Sequence, residues 1–128
     1  MKLSPPPQQE PNISLETKVG LIDLCNPLMN AAGTMGTSVS QLTSIMESSS
    51  GMTVTKSSTL NPRMGNPHPK YFVNDMGSIN SNGLENMGVD YYIHALKNLK
   101  KSYNKPSILS ISGMTAEETS TMLTLAEQ

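Results

Sequence analysis

The sequence predicts an α/β fold: a small β-hairpin followed by about three parallel βα units. Three observations carry that expectation. Short apolar runs near Met29, Val54 and Ile108 are each followed by a segment with helical apolar spacing. Strands that alternate with helices read as crossover-connected parallel units. The chain has 128 residues, about half of the ~250 that a (β/α)8 barrel takes. Its composition, 36% hydrophobic and 4% aromatic with no Trp, is thin for a large self-contained core. It suits a piece of a larger barrel better than a domain complete in itself, and the 10 methionines suit flexible filling of core space.

The elements follow in order. Residues 1–12 are rich in Pro and Gln and are expected to form a disordered leader, leaving 13–128 as one partial barrel domain. Over 13–25, Ile13, Leu15, Val19, Leu21, Ile22 and Leu24 alternate loosely about Gly20 and predict a hairpin that would plug the N-terminal end of a barrel. Leu28 to Ala32 predicts a short buried strand stopped by Gly33. Val39, Leu42, Ile45 and Met46 predict a helix over 38–48, capped by Thr37 or Ser38 and ended near Gly51. Met52 to Lys56 predicts the second strand.

A loop of about 30 residues is expected over 57–87, and loops of that length are usually functional or disordered. Tyr71, Phe72, Val73, Ile79 and Leu84 read as apolar anchors that keep it ordered. Tyr91, Tyr92, Ala95, Leu96 and Leu99 share one face of a helix over 88–101, whose lysines suit the negative end of its dipole. Ser107 to Ser112 predicts the third strand. A last helix begins at Thr115, with Glu118 as capping-box partner.

Charge and composition exclude several classes. The net charge is −1, from 9 basic and 10 acidic residues, and does not call for nucleic acid. No apolar run approaches the ~20 residues of a membrane span, and no signal-peptide core follows Lys2. A soluble, cytoplasmic protein is the expectation. Cys25 alone allows no internal disulfide; it reads as a small buried apolar residue. His68 and His94 lack partners at metal-ligand spacing, so no metal site is expected.

Three segments hold candidate chemistry. Small residues in Asn30-Ala31-Ala32-Gly33 leave room for a flat ring, or are simply packing filler. Lys56 ends a buried strand, where an ammonium wants an anion or an acceptor; a lysine snorkelling to solvent is an equal reading. Asn80, 24 residues after Lys56, sits with Asn82 and Asn86 among glycines. That pattern first of all forms turns. With Lys56, it also suits capture of a planar, anionic, amide-rich ligand.

The wording itself goes further. Asn-Pro-Leu-Met-Asn-Ala-Ala-Gly at 26–33, Thr-Lys-Ser-Ser-Thr at 55–59, Gly-Asn-Pro-His-Pro-Lys-Tyr at 65–71, Gly-Ser-Ile-Asn-Ser-Asn-Gly-Leu at 77–84, Gly-Val-Asp-Tyr-Tyr at 88–92 and Leu-Ser-Ile-Ser-Gly at 109–113 stand in one order. From about residue 19 onward the chain resembles the N-terminal part of the class 1A dihydroorotate dehydrogenases, the cytosolic, fumarate-using, homodimeric class. The resemblance implies a TIM (β/α)8 barrel with FMN across its C-terminal mouth. It implies oxidation of dihydroorotate to orotate in pyrimidine biosynthesis. Ala31, Ala32, Gly33, Lys56 and Ser57 would contact FMN. Lys56, Asn80, Ser81, Asn82, Gly83 and Leu84 would hold the substrate. Ser112 and Gly113 would end the third strand beside the flavin.

Departures from the family pattern are Asn82, where the family usually has Met, with Met64 and Glu85 as atypical neighbours. The family's catalytic base is a Cys after the fourth strand, which this sequence does not reach, so no catalytic residue is assigned. The chain is therefore expected to be an N-terminal fragment of such an enzyme, inactive alone. The alternative is a non-catalytic barrel remnant that at most binds flavin or a partner chain.

Overall fold

The computed structural model describes residues 13–128; the leader expected over 1–12 lies outside them. In chain order the elements are β1 (Thr17–Val19), β2 (Ile22–Leu24), a 3-10 turn (Thr34–Gly36), α1 (Val39–Glu47), β3 (Thr53–Val54), β4 (Tyr71–Asn74), β5 (Gly77–Asn80), α2 (Val89–Leu99), β6 (Ser107–Ile108) and α3 (Ala116–Ala126).

β1 and β2 form the expected antiparallel hairpin, with Thr17 opposite Leu24 and Val19 opposite Ile22. Gly20 makes its turn at φ 59, a left-handed conformation that glycine adopts without steric cost. Leu24 is buried, whereas Cys25 is exposed, contrary to the expectation. Successive side chains of an extended chain point to opposite sides, so an inward Leu24 turns Cys25 outward.

The three barrel strands run parallel and in sequence order. Met29 bridges Met52, and β3 pairs with β6 in the register Thr53 to Ser107 and Val54 to Ile108. The first strand is not the buried run expected: Leu28 and Met29 are exposed, and only the Met29 bridge remains of it. Its place beside β3 is held by a side chain. Asn30 Oδ1 accepts the Val54 N–H at 2.8 Å, and Asn30 Nδ2 donates to the Val54 carbonyl at 2.7 Å. A carboxamide offers the donor and acceptor that a peptide group would offer.

α1 begins on a full capping box. Ser38 Oγ accepts the Gln41 N–H at 3.3 Å, and Gln41 Oε1 accepts the Ser38 N–H at 3.0 Å. Thr115 caps α3 through the Glu118 N–H, while the Glu118 carboxylate takes the N–H of Met114 instead of Thr115. Ser48, not Gly51, closes α1. Gly51 serves a close approach: a Cβ there would strike the Asn26 carbonyl oxygen, and its N–H reaches the Leu28 carbonyl at 2.8 Å. The core lies between the helices. Leu42 and Met46 of α1 cluster with Tyr92, Ala95, Leu96 and Leu99 of α2, and Tyr91, Tyr103 and Leu109 pack on the outside.

The segment over 57–87 is not the single long loop expected. Its alternating Tyr71-Phe72-Val73 and Ser78-Ile79-Asn80 pair as the antiparallel hairpin β4–β5, with Phe72 opposite Ile79. The expected anchoring fails for four of its five residues, with Leu84 alone half-buried. Tyr71, Phe72, Val73 and Ile79 are 60–73% exposed. Polar contacts at the hairpin root hold the segment instead. Lys70 donates to the Met64 carbonyl and pairs with Glu85, and the Lys70 carbonyl accepts the Ser81 N–H at 2.8 Å.

Candidate functional site

Lys56 stands where the ladder between the second and third strands changes register. Thr53 N–H bonds Pro106 O, Thr55 N–H bonds Ile108 O and Ser58 N–H bonds Ser110 O, each at 3.0 Å. Three steps along one strand, from Thr55 to Ser58, match two along the other, from Ile108 to Ser110. Lys56 and Ser57 therefore hold a one-residue bulge, a device that re-aims side chains and is common beside active sites. Both of their N–H groups turn the same way, to Gly36 O at 3.0 Å and Ala32 O at 3.4 Å. That ties the bulge to the loop after the first strand. Gly36 is required there, since a Cβ would lie 2.8 Å from Val54 O and 2.9 Å from Lys56 N.

The Lys56 side chain is half-buried and lines a cavity of about 260 Å³ with Thr34, Thr37, Gln41, Asn82 and Glu85. Among the described residues, no hydrogen bond or ion pair engages its ammonium. Glu85, the carboxylate of this cavity, is committed to Lys70. The Lys70 hydrogen bond first, then the Lys70 charge, hold Glu85 below the ordinary range. An ammonium left over in a partly desolvated cavity favours an anionic occupant.

The loop facing Lys56 has its acceptors tied back. Asn66 Nδ2 donates to Ser81 O at 2.9 Å, Asn66 N–H to Asn82 O at 3.1 Å, and Asn86 Nδ2 to Leu84 O at 2.8 Å. The N–H groups of Asn82, Gly83 and Leu84 have no protein partner among the described residues. Gly83 and Leu84 lie at φ 68 and 56, and a Cβ on Gly83 would come within 2.7 Å of Asn66. A leucine at positive φ is uncommon, and such residues gather at ligand clamps. Lysine, hydroxyls and free amide donors together suit a ligand rich in negative charge and carbonyl oxygens.

Ser57 Oγ lies 2.9 Å from Ser110 Oγ, bringing the third strand to the bulge. Gly33 N–H bonds Ala31 O at 2.7 Å in a tight turn, and a Cβ on Gly33 would meet nothing within 4 Å. Lys56 is brought to Asn82 but not to Asn80. Asn80 is exposed opposite Tyr71 and lines a separate cavity of about 200 Å³ with Phe72 and Ile79. The expected convergence of Asn80 on Lys56 is thus corrected to Asn82. Strand pairing fixes Asn80 in β5, and the turn toward Lys56 begins only after it. Sequence reasoning missed Asn30, Asn66 and Asn86 as the residues that set these backbones. For Asn86, the turn that its place among glycines predicts is present, with its Oδ1 accepting the Gly88 N–H at 2.8 Å, but its reach to Leu84 and Thr59 has no sequence signal.

The family model described as dihydroorotate dehydrogenase matches residues 14–127. The chain is 43% identical over 111 residues to the dihydroorotate dehydrogenase (fumarate) of Trypanosoma brucei brucei, covering 87% of this chain and 36% of that protein. It is 44% identical over 108 residues to the protein of the same description from Trypanosoma cruzi, covering 83% and 34%. It is 43% identical over 112 residues to the probable dihydroorotate dehydrogenase A (fumarate) of Streptococcus pneumoniae, covering 87% and 36%. The chain thus spans about a third of the length of these relatives. In structure it is similar to DHODH of Eimeria tenella, solved in complex with ferulenol. That likeness has a TM-score of 0.59 at 20% identity, over 77% of this chain and 28% of the other. At that identity the likeness bears on fold alone, and it agrees with a hairpin and the first βα units of a TIM barrel. With the match running over nearly all of the described residues, the chain belongs to the dihydroorotate dehydrogenase family.

Proposed function

We propose that this chain supplies the Lys56 side of the active site of an FMN-dependent dihydroorotate dehydrogenase. The complete enzyme would oxidise dihydroorotate to orotate in pyrimidine biosynthesis, use fumarate as acceptor, and work as a cytoplasmic homodimer. One observation carries the reading: the unpaired Lys56 ammonium shares a cavity with Asn82, in a loop whose Ser81, Asn82 and Leu84 carbonyls are tied back and whose Asn82, Gly83 and Leu84 N–H groups have no protein partner among the described residues.

The residues present fit FMN. The open space over Gly33, the Ser57 hydroxyl and the Lys56 ammonium form a donor-rich, unobstructed rim. Ala31, Ala32, Gly33, Lys56 and Ser57 would hold the flavin, which when bound supplies the two-electron acceptor. Lys56 serves two neighbours in this reading. Its charge favours electron density on the ring beside it and binds the carboxylate of dihydroorotate. Asn82, Gly83 and Leu84 hold the pyrimidine through amide donors, whereas Asn80 and Ser81 line the separate hairpin cavity and stand outside this pocket. No general base is assigned. Glu85 is neutralised by Lys70, and Cys25 lines a different cavity with Glu16 and Asp23.

Lys56→Ala in the complete enzyme tests the reading. Loss of one charge-assisted hydrogen bond, ~1.5–3 kcal/mol, lowers turnover and flavin retention about ten- to hundredfold. Unchanged turnover at saturating FMN would remove Lys56 from the site. The alternative is a barrel remnant that binds flavin or a partner without catalysing. The intact mass of the native protein, with its flavin colour, separates the two. A native mass matching 128 residues in a flavin-loaded, inactive protein would select the remnant.

A further inference from the structure

We propose that Asn86 is the positioning residue of this site: its carboxamide holds the Gly83–Leu84 backbone against the end of the second strand, at the distance a ligand beside Lys56 requires. The inference rests on the proposed function for the identity of the ligand.

Asn86 is only 2% exposed, and its side chain uses its full bonding capacity. Oδ1 accepts the Thr59 N–H at 3.1 Å and the Gly88 N–H at 2.8 Å. Nδ2 donates to Thr59 Oγ1 at 3.0 Å and to the Leu84 carbonyl at 2.8 Å. Its backbone exchanges bonds with Arg63 at 2.9 and 3.0 Å. One amide group thus joins three pieces: the strand end that carries Lys56 and Ser57, the start of α2, and the loop at Leu84.

The bond to Leu84 differs in kind from the others. Thr59 and Gly88 lie on the regular framework, and Val89 N–H also bonds the Thr59 carbonyl at 2.9 Å. Leu84 lies at φ 56, a conformation that side-chain-bearing residues rarely adopt. Capture of its carbonyl by Asn86 holds it there and leaves the N–H groups of Gly83 and Leu84 for a ligand. Asn86 does not line the Lys56 cavity described above, so it acts through the loop and not by contact.

The test uses two substitutions in the complete enzyme. Asn86→Asp, as the carboxylate, keeps shape and both acceptor positions for the Thr59 and Gly88 N–H groups, and removes both Nδ2 donors, to Leu84 O and to Thr59 Oγ1. Thr59→Val removes the other Nδ2 partner, together with that hydroxyl's own bond to the Asn61 carbonyl, and leaves the Leu84 bond. The ligand-free readout is hydrogen exchange at the Asn66 amide, which bonds Asn82 O across the same loop. The second readout is the orotate dissociation constant, with KM and kcat for dihydroorotate.

Asn86→Asp is expected to speed Asn66 exchange and to raise both the orotate dissociation constant and KM about tenfold, within the range a small misplacement costs. kcat changes less, and Thr59→Val changes neither readout. Equal effects of the two substitutions would reduce Asn86 to a structural role and overturn the inference. So would faster exchange with unchanged orotate affinity. If the unaltered enzyme binds no orotate, the proposed function fails, and the exchange comparison alone then decides Asn86. If aspartate at this position yields no soluble protein, Asn86→Ser takes its place. Its hydroxyl retains the Gly88 turn and cannot reach Leu84.

Discussion

The βα framework and the inserted hairpin are built on opposite principles. In the framework, apolar side chains face inward: Leu42, Tyr92, Ala95 and Leu99 are buried between α1 and α2. In the hairpin, Tyr71, Phe72, Val73 and Ile79 face outward, and the segment is held at its root by Lys70, Asn66 and Asn86. Apolar burial is non-directional and fixes a helix only loosely in register. Hydrogen bonds to named carbonyls fix a backbone path atom by atom. In the proposed site, the region beside Lys56 is the one held by asparagines.

The largest expected effect breaks the framework and spares the hairpin. Tyr92 is fully buried and its hydroxyl accepts the Met87 N–H at 3.5 Å. Tyr92→Ala should cost about 3–5 kcal/mol, as truncation of a buried aromatic does. Phe72→Ala, 62% exposed in β4, should stay within about 0.5 kcal/mol. Denaturant midpoints of the complete protein check the pair. Equal costs would mean that another surface buries Phe72 in solution.

A smaller effect tests how closely the first loop must approach the bulge. Gly36→Val adds atoms where even a Cβ would press on Val54 O and Lys56 N. The backbone must shift, at about 1–3 kcal/mol for overpacking. Because the shift falls on Lys56, flavin retention should drop along with stability. A stability loss without any change in flavin content would uncouple the Gly36 contact from the site.

What the sequence made legible follows the same division. Helices α1 and α2 were readable because apolar residues recur on one face, and Ser38 and Thr115 were readable as caps because hydroxyls bond the third N–H of a helix. Parallel strand order followed from alternation. The first strand was misjudged because Asn30 replaces a backbone ladder with a side chain, which apolar patterning does not record. The hairpin anchors were misjudged because Tyr71, Phe72 and Ile79 carry an ordinary strand pattern whichever way they face. Lys56 was found by residue type, yet its partner was misassigned. Asn80 and Asn82 differ by two positions in sequence, and strand pairing alone separates them into different cavities.

The smallest effect concerns pH at the root of the hairpin. Glu85 accepts a hydrogen bond from Lys70 and feels its charge, with a lesser pull from His68, and its pKa is lowered from 4.5. A carboxylate with a depressed folded pKa adds stability that is fully present above the unfolded value. That stability is lost as pH falls through the folded one. The hairpin root should therefore loosen below pH 4.5 and stay unchanged above it. The Glu85 side chain is 52% exposed, so solvent and salt screen the pair and the framework should not unfold with it. Exchange at the Ser81 amide, bonded to the Lys70 carbonyl, reports the root directly. Its protection, taken relative to the intrinsic exchange rate at each pH, should fall in acid in the unaltered protein, and Glu85→Gln should remove most of that pH dependence. An acid loss of protection that survives Glu85→Gln would assign the root's pH response to some other group and leave the Lys70–Glu85 pair without a part in holding the hairpin.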